Sequence, residues 1–312
     1  MEQISCNICS SQEAHTVLIA EDIRYHVPGR FTIVRCRGCG LSYVSPRPAP
    51  SEIGRFYPSV VAEHIATSAP NPFALAEAQI VQDHCQKPGK ILDIGCASGY
   101  FLNAMRQLGW QVYGVEPSPE AAHKASEVEG AQIKQGVLQP NDYEAGTFDV
   151  VTLWSVLEHL HDPLGTLNTV RRILKPSGHL HICVPNFRSL ERYMFGPKWF
   201  GLDVPRHLYH FDPKSLIRLL THSGFRVSQL NHSSGHDSLK SSLRLARGQE
   251  WASLSIAPTG MGLEPIAPAG PLRKAKRAMN KAVVNGFTRF ADTMGQGSQI
   301  MVIAQPKSQQ AS

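Results

Sequence analysis

Cys6, Cys9, Cys36 and Cys39 stand in two CxxC pairs near the start of the chain. Four thiolates on two such knuckles can enclose a tetrahedral Zn²⁺ with no open coordination position, the pattern of a structural site. A second group lies in the stretch Lys90–Leu102, KILDIGCASGYFL. There Asp93 precedes Gly95, Cys96 and Gly99, and small residues fill the space between the glycines. Glu116 follows at about the spacing where a mononucleotide fold carries its ribose-binding acid, and a carboxylate there can accept bonds from both ribose hydroxyls. A third group is imidazole: His159 beside Glu158, and His207 and His210 in the segment Trp199–Phe211. A neutral imidazole is the usual general base near neutral pH, and it is also often a buried, satisfied core residue.

These groups need elements to hold them. Ile91, Leu92 and Ile94 form a short run of strand formers, and Tyr100–Leu108 reads as a helix, so the glycines occupy a strand–turn–helix. Glycine lacks a Cβ and lets a ligand approach the backbone, and the helix start offers N–H groups. Gln111–Val115 reads as a second strand leading to Glu116. The alternation continues with a helix over Pro119–Val128 and strands at Ala131–Lys134, Phe148–Leu153 and His179–Val184. A helix over Asp162–Leu174 ends at Lys175-Pro176-Ser177-Gly178. Asp212–Ser223 begins with an Asp cap and Pro213, and Phe225–Leu230 is a sixth strand. Pro72–Cys85 has helical composition and precedes the first strand. The Gly95 turn alone fits several nucleotides. A nicotinamide dinucleotide is the competitor, although Ala97 occupies the middle glycine position of GxGxxG.

ILDIGCASG and GVEPS resemble the first two motifs of the class I S-adenosylmethionine-dependent methyltransferases. The resemblance implies an α/β fold: a Rossmann-like seven-stranded sheet whose last strand, near Ser298–Ala304, is antiparallel. It implies that Asp93 and the Gly95–Gly99 turn, Cys96 included, hold the methionine part of S-adenosylmethionine, and that Glu116 holds its ribose. Related enzymes often carry an Asp where this chain has Gly136-Val137-Leu138, so adenine recognition through Val137 would be apolar and by backbone. Trp154 and Ser155, after the fourth strand, are expected in the cofactor pocket wall. The Trp199–Phe211 segment resembles one with a Pro-x-His-Leu core in small-molecule methyltransferases, making His207 the first candidate base and His210 the second. Glu158-His159 is similar to a pair in metal-assisted methyltransferases, but Ser155 stands where their first acid would be, leaving that ligand set short. The cysteine frame and the following Leu41–Pro48 resemble the zinc-ribbon-like segment and linker of bacterial methyltransferases.

The expected organisation is a zinc-ribbon-like segment and linker over 1–60 and a methyltransferase domain over 61–312, with a helical insertion or lid at 232–297. At 312 residues, 42% hydrophobic and 18% charged, the composition is that of a globular protein. No segment approaches the ~20 apolar residues of a membrane span. The first ten residues lack signal- or transit-peptide character, so a cytoplasmic location is the default expectation. The net charge of +6 suits an anionic partner or simply a solvated surface. Arg273, Lys274, Lys276, Arg277 and Lys281 within 272–294 permit peripheral membrane contact, an oligomer helix, a lid or merely a solvated face. The reading is methyl transfer to a small-molecule acceptor, at a hydroxyl or carbon of a sugar, nucleotide-sugar or metabolite. The alternatives are an RNA methyltransferase that grips nucleic acid with its ribbon, where Arg24, Arg30, Arg35, Arg37 and Arg47 cluster, and a non-catalytic cofactor-binding scaffold.

Overall fold

The computed structural model describes residues 1–57, 72–85, 87–234, 236–248 and 271–307. A seven-stranded sheet is built from β4 (Lys90–Ile94), β5 (Gln111–Glu116), β6 (Gln132–Gln135), β7 (Phe148–Trp154), β8 (Leu174–Pro185), β10 (Phe225–Ser233) and β11 (Gln299–Pro306), in the order β10-β11-β8-β7-β4-β5-β6. β4 pairs in parallel with both β5 and β7, while β11 runs antiparallel to both β10 and β8. The expected antiparallel last strand is therefore present. Strand order reverses between β4 and β7, and open α/β sheets bind ligands at the carboxyl ends of strands at such a point.

The helices start where the sequence supplies caps. Ser118 accepts the Ala121 N–H ahead of α3 (Pro119–Ser126), and Asp162 accepts the Gly165 N–H ahead of α4 (Pro163–Ile173). Ser189 accepts the Arg192 N–H ahead of α5 (Leu190–Phe195), and Asp212 and Ser215 form a reciprocal capping box on α6 (Pro213–His222). The stop tetrapeptide Lys175–Gly178 ends α4 as expected but is itself the beginning of β8. α1 (Pro72–His84) and α2 (Tyr100–Gln107) cover one face of the sheet through Ala78, Val81, Leu102 and Met105, packed on Ile91, Val112 and Val150.

The N-terminal segment forms a second sheet, ordered β1-β2-β3-β9, from β1 (Ala14–Glu21), β2 (Arg30–Cys36), β3 (Ser42–Val44) and the distant β9 (Tyr209–His210). The Leu41–Pro48 stretch, expected as a linker, thus contains strand β3 and pairs Tyr43 with Tyr209. Cys6, Cys36, Cys39, Leu41 and Tyr43 share one buried cluster with Leu92, Val151, Leu153 and Leu216 of the large sheet and α6. Arg218 of α6 donates to the Cys39 carbonyl. In the 232–297 stretch, α7 (His236–Ala246) and α8 (Pro271–Thr293) are helical as expected; the Ala257–Pro271 loop expectation lies almost wholly outside the described residues, as do the side chains of Arg273, Lys274, Lys276, Arg277 and Lys281.

Candidate active site

The reversal between β4 and β7 brings two loops together. The first leaves β4 through Gly95, Cys96, Ala97, Ser98 and Gly99; Gly95, Ala97 and Gly99 all have positive φ, at 74°, 46° and 77°. A Cβ on Gly95 would lie 2.5 Å from Val156 Cγ2, and one on Gly99 would lie 3.0 Å from Ala125 Cα. The glycines thus answer to backbone conformation and to close packing by the second loop and by α3, rather than to ligand approach alone. The turn's amides are also engaged: Gly95 and Cys96 donate to the Val115 carbonyl, and Gly99 to that of Cys96. A phosphate cradle needs several amides aimed at one anion; here the conspicuous groups are carboxylates.

Asp93 is buried at the end of β4, where Thr152 Oγ1 donates to it at 2.6 Å. Burial pushes its carboxyl well above the usual range, against the pull of Thr152. Glu116 accepts the Ala97 N–H and the Ser118 N–H, each at 2.9 Å. Burial raises its pKa, with those two amides acting in the other direction. Its oxygens keep further lone pairs for hydroxyl donors. The Cys96 thiol faces the core, where a Cβ on Gly114 would come within 2.6 Å of Sγ, so only its backbone borders the turn. Val137 is 57% exposed just after Gly136, whose N–H donates to the Glu116 carbonyl, leaving an apolar surface beside that acid. Trp154 turns elsewhere: it lines a cavity of about 250 Å³ with His84, His181, Gln229 and Asn231, a lining that includes neither Asp93 nor Glu116. Ser155 holds a left-handed φ of 54° as the chain leaves β7, its N–H bound to the Cys183 carbonyl.

The second loop carries Glu158 and His159 and meets the Trp199–Phe211 segment, with the Leu208 N–H donating to the Glu158 carbonyl at 2.8 Å. His207 reaches the same place, its ring edge-on to His159 with centroids 4.6 Å apart. Its Nδ1 lies 3.0 Å from the Gly201 carbonyl, and His159 Nδ1 lies 3.0 Å from the Arg206 carbonyl. His207 Nδ1, facing the Gly201 carbonyl, donates to it, which leaves the His207 Nε2 lone pair to act as a base, whereas His159 Nδ1 also lies 3.0 Å from the Tyr57 hydroxyl and is met from two sides. Burial pushes Glu158 up to about 8 and holds His207 well below the ordinary histidine value. At neutral pH the two are acid and imidazole, not an ion pair, although His207 Nε2 is 4.0 Å from Glu158 Oε1. His210 does not join the group. It lies in β9 with its ring 5.1 Å from that of Phe187, and burial takes its pKa down to about 3.

A buried ion network that sequence reading missed fixes this segment. Arg206 is 1% exposed and donates to both oxygens of Asp22, twice to Asp203 Oδ1, and to the Phe56 carbonyl. Every N–H of the guanidinium is thereby matched. Arg24 completes the network at Asp203 Oδ2, 3.1 Å away. Asp203 and Arg206 are three apart, a visible helical-turn spacing, but Asp22 lies 184 residues away and no local pattern announces it. Arg24, Arg35 and Arg47, three of the arginines considered for RNA, bind Asp203, Asp212 and Glu2 instead.

A family model for a methyltransferase domain matches residues 71–230. The chain belongs to the class I S-adenosylmethionine-dependent methyltransferase family. It is 27% identical over 154 residues to a ubiquinone biosynthesis O-methyltransferase of Xanthomonas axonopodis pv. citri, a match covering 46% of this chain and 64% of that protein. The chain thus spans somewhat less than two thirds of that relative's length. A protein of the same name from Actinobacillus pleuropneumoniae serotype 7 is 31% identical over 158 residues, covering 45% of this chain and 67% of the other. In fold, the methyltransferase resembles the [4+2]-cyclase SpnF, with a TM-score of 0.54 and 17% identity over 84% of this chain and 97% of that one. It also resembles a chain in the complex of the Haloferax volcanii Trm112 methyltransferase activator with a methyltransferase, with a TM-score of 0.52 and 16% identity over 83% and 99% of the two chains.

Proposed function

We propose that this protein transfers a methyl group from S-adenosylmethionine to a small-molecule acceptor, at a hydroxyl oxygen in preference to carbon. The observation that carries the reading is the contact of Gly95 with Val156, which sets the carboxylate-flanked turn against the loop bearing Glu158 and His159. The cofactor, when bound, supplies an electrophilic methyl on a sulfonium. Glu116 would accept the ribose hydroxyls, Val137 would cover the adenine, and Asp93 with the Gly95–Gly99 turn would hold the methionine part. Such a donor is already activated, so the remaining task is to align the acceptor and receive its proton. The Glu158–His159–His207 group does this, with His207 Nε2 the first candidate to take the proton. The names of the matched O-methyltransferases favour oxygen, and the internal engagement of Arg24, Arg35 and Arg47 leaves the RNA reading with less support.

Cys6, Cys9, Cys36 and Cys39 would hold one structural zinc. Their sulfurs lie within 4.8 Å of one another, with Cys6–Cys39 at 3.3 Å and Cys9–Cys36 at 3.5 Å. Zn–S bonds of ~2.3 Å require S···S edges of ~3.8 Å, so the cage has the right size, and no pair approaches the ~2.05 Å of a disulfide. Its place in the shared core makes it a clamp on the acceptor-side segment rather than a separate grip for nucleic acid. Free thiols throughout suit a reducing, cytoplasmic setting. Among the described residues, no helix is long and apolar enough to cross a membrane. The test is incubation with methyl-labelled donor and fractionated cell extract. Label should enter the small-molecule fraction; label confined to RNA would overturn the acceptor class. Elemental analysis of protein purified without chelator should find about one zinc per chain.

A further inference from the structure

His181 is 1% exposed in the middle of β8, and neither of its ring nitrogens has a hydrogen-bond partner among the described residues. Trp154 Nε1, at the end of the neighbouring strand, is buried and unmatched in the same way. Native folds leave few such atoms, and each calls for something to complete it. Strand register explains why the two meet. Thr152 pairs with His181 and Trp154 with Cys183, so alternation turns Trp154 and His181 to one face of the sheet. His181 pairs in turn with Ile303, and Ile303 with Gln229, which carries the row across β11 to β10. Ile80, Asp83 and His84 of α1 face this row, and the space between is the cavity of about 250 Å³.

Carbon walls come from Ile80, Ile182, Met301, Val302 and Ile303. Rings supply the rest: the centroid of His181 lies 5.8 Å from that of His84 and 6.3 Å from that of Trp154. Burial, with His84 and His179 beside it, takes the His181 pKa down to about 3 and keeps the ring neutral. The floor therefore offers the indole N–H together with one N–H and one lone pair of the imidazole. Such a volume has room for on the order of eight waters, each of which wants about three polar partners, far more than this floor provides. At the rim, His84 Nε2 lies 2.8 Å from Gln229 Oε1, and Asp83 accepts from Gln79 Nε2 at 2.6 Å. Asp83 is exposed there and the floor carries no charge, so a charged occupant would be left unmatched.

We propose that this cavity binds a small uncharged aromatic molecule with a hydroxyl, carbonyl or ring N–H on its edge, as a ligand separate from the methyl donor and its acceptor. Its ring would lie against Trp154 and the aliphatic wall, one edge oxygen would accept from the indole N–H, and His181 would meet the remaining donor or acceptor. The inference does not rest on the methyltransferase reading, since the lining includes none of Asp93, Glu116, Glu158, His159 and His207. The Trp154 ring also touches the cofactor side, edge-on to Phe101 in the first turn of α2 with centroids 5.8 Å apart.

The test uses the full-length protein with phenol as the probe, followed by calorimetry and saturation-transfer NMR. Phenol should bind saturably at one molecule per chain, with a Kd on the order of 1 mM. Toluene keeps the shape without the hydroxyl, and benzoate adds a full charge; each should bind at least about tenfold more weakly. His181→Leu removes the donor and acceptor of the floor, while Met301→Trp fills the space. Each should weaken phenol binding at least about tenfold in protein that a urea melt shows to be folded, and two variants of opposite kind guard against the misfolding of one. S-adenosylhomocysteine should not displace the probe. No saturable phenol binding would leave the cavity to ordered water, and equal binding of toluene would make it an apolar void. Displacement by S-adenosylhomocysteine would assign it to the cofactor site, and equal phenol binding by wild type and a folded variant would place the probe elsewhere. Any of these four results would overturn the inference.

Discussion

Replacing Asp22 by Asn strikes the network that holds the acceptor-side segment without touching any proposed ligand or base. Asp22 accepts both Arg206 amino groups at 2.7 and 2.8 Å, and also the backbone N–H groups of Arg24 and Tyr25. The amide that replaces one oxygen presents N–H to N–H, and Arg206 keeps its charge at 1% exposure. Removing one partner of a buried ion pair costs ~3–5 kcal/mol, because the other is left uncompensated. Asp203 retains half the compensation, so about 3 kcal/mol is expected. Against a total stability of ~5–15 kcal/mol, that loss should lower the urea midpoint by on the order of 1 M. The chain's 4 tryptophans provide the fluorescence signal. S-adenosylhomocysteine affinity of the folded fraction should be retained, since Asp93, Glu116 and the glycine turn lie on other elements. A loss below about 1 kcal/mol would show that the network is screened or redundant and refute the argument that it anchors this segment.

Gly95→Ala should destabilise by ~1–3 kcal/mol through its positive φ and the contact with Val156, and should weaken S-adenosylhomocysteine binding; Val156→Ala in that background should relieve only the steric part, and full recovery would deny the backbone share. Glu191 is buried with its carboxyl pushed up to about 7 by desolvation, so its neutral form is favoured on folding. Its contribution to stability is complete below the unfolded value of about 4.5 and is lost as pH rises through about 7. Glu191→Gln should remove that slope, up to about 1.4 kcal/mol per pH unit, in urea melts at pH 5 and pH 8; parallel pH profiles for variant and wild type would contradict this.

The seven-stranded sheet was legible because most of its strands carry their own apolar run and three helices their own side-chain cap, at Ser118, Asp162 and Asp212. Asp93 and Glu116 were legible for the same reason, since strand ends fix where they stand. The cysteine frame was legible from spacing, but its burial against Leu92 and Leu216 was not, because no local pattern encodes which surface a knuckle packs on. β9 is two residues long and depends on β3 from far upstream, so the Leu41–Pro48 stretch reads as a linker until the partner strand is in place. Trp154 and His210 were placed by neighbourhood in the chain, and strand alternation turned Trp154 into another cavity while β-pairing packed His210 on Phe187. Asp22 and Arg206 meet only through tertiary structure.

The central claim is that the β4–β7 reversal is shaped for a sulfonium nucleoside. Titrating wild type and Glu116→Ala with S-adenosylhomocysteine by calorimetry tests it most directly. One molecule per chain should bind wild type, with the heat lost or affinity cut by ~10-fold or more in the variant, from the loss of charge-assisted ribose bonds. Binding of a nicotinamide dinucleotide with no heat from S-adenosylhomocysteine would contradict it.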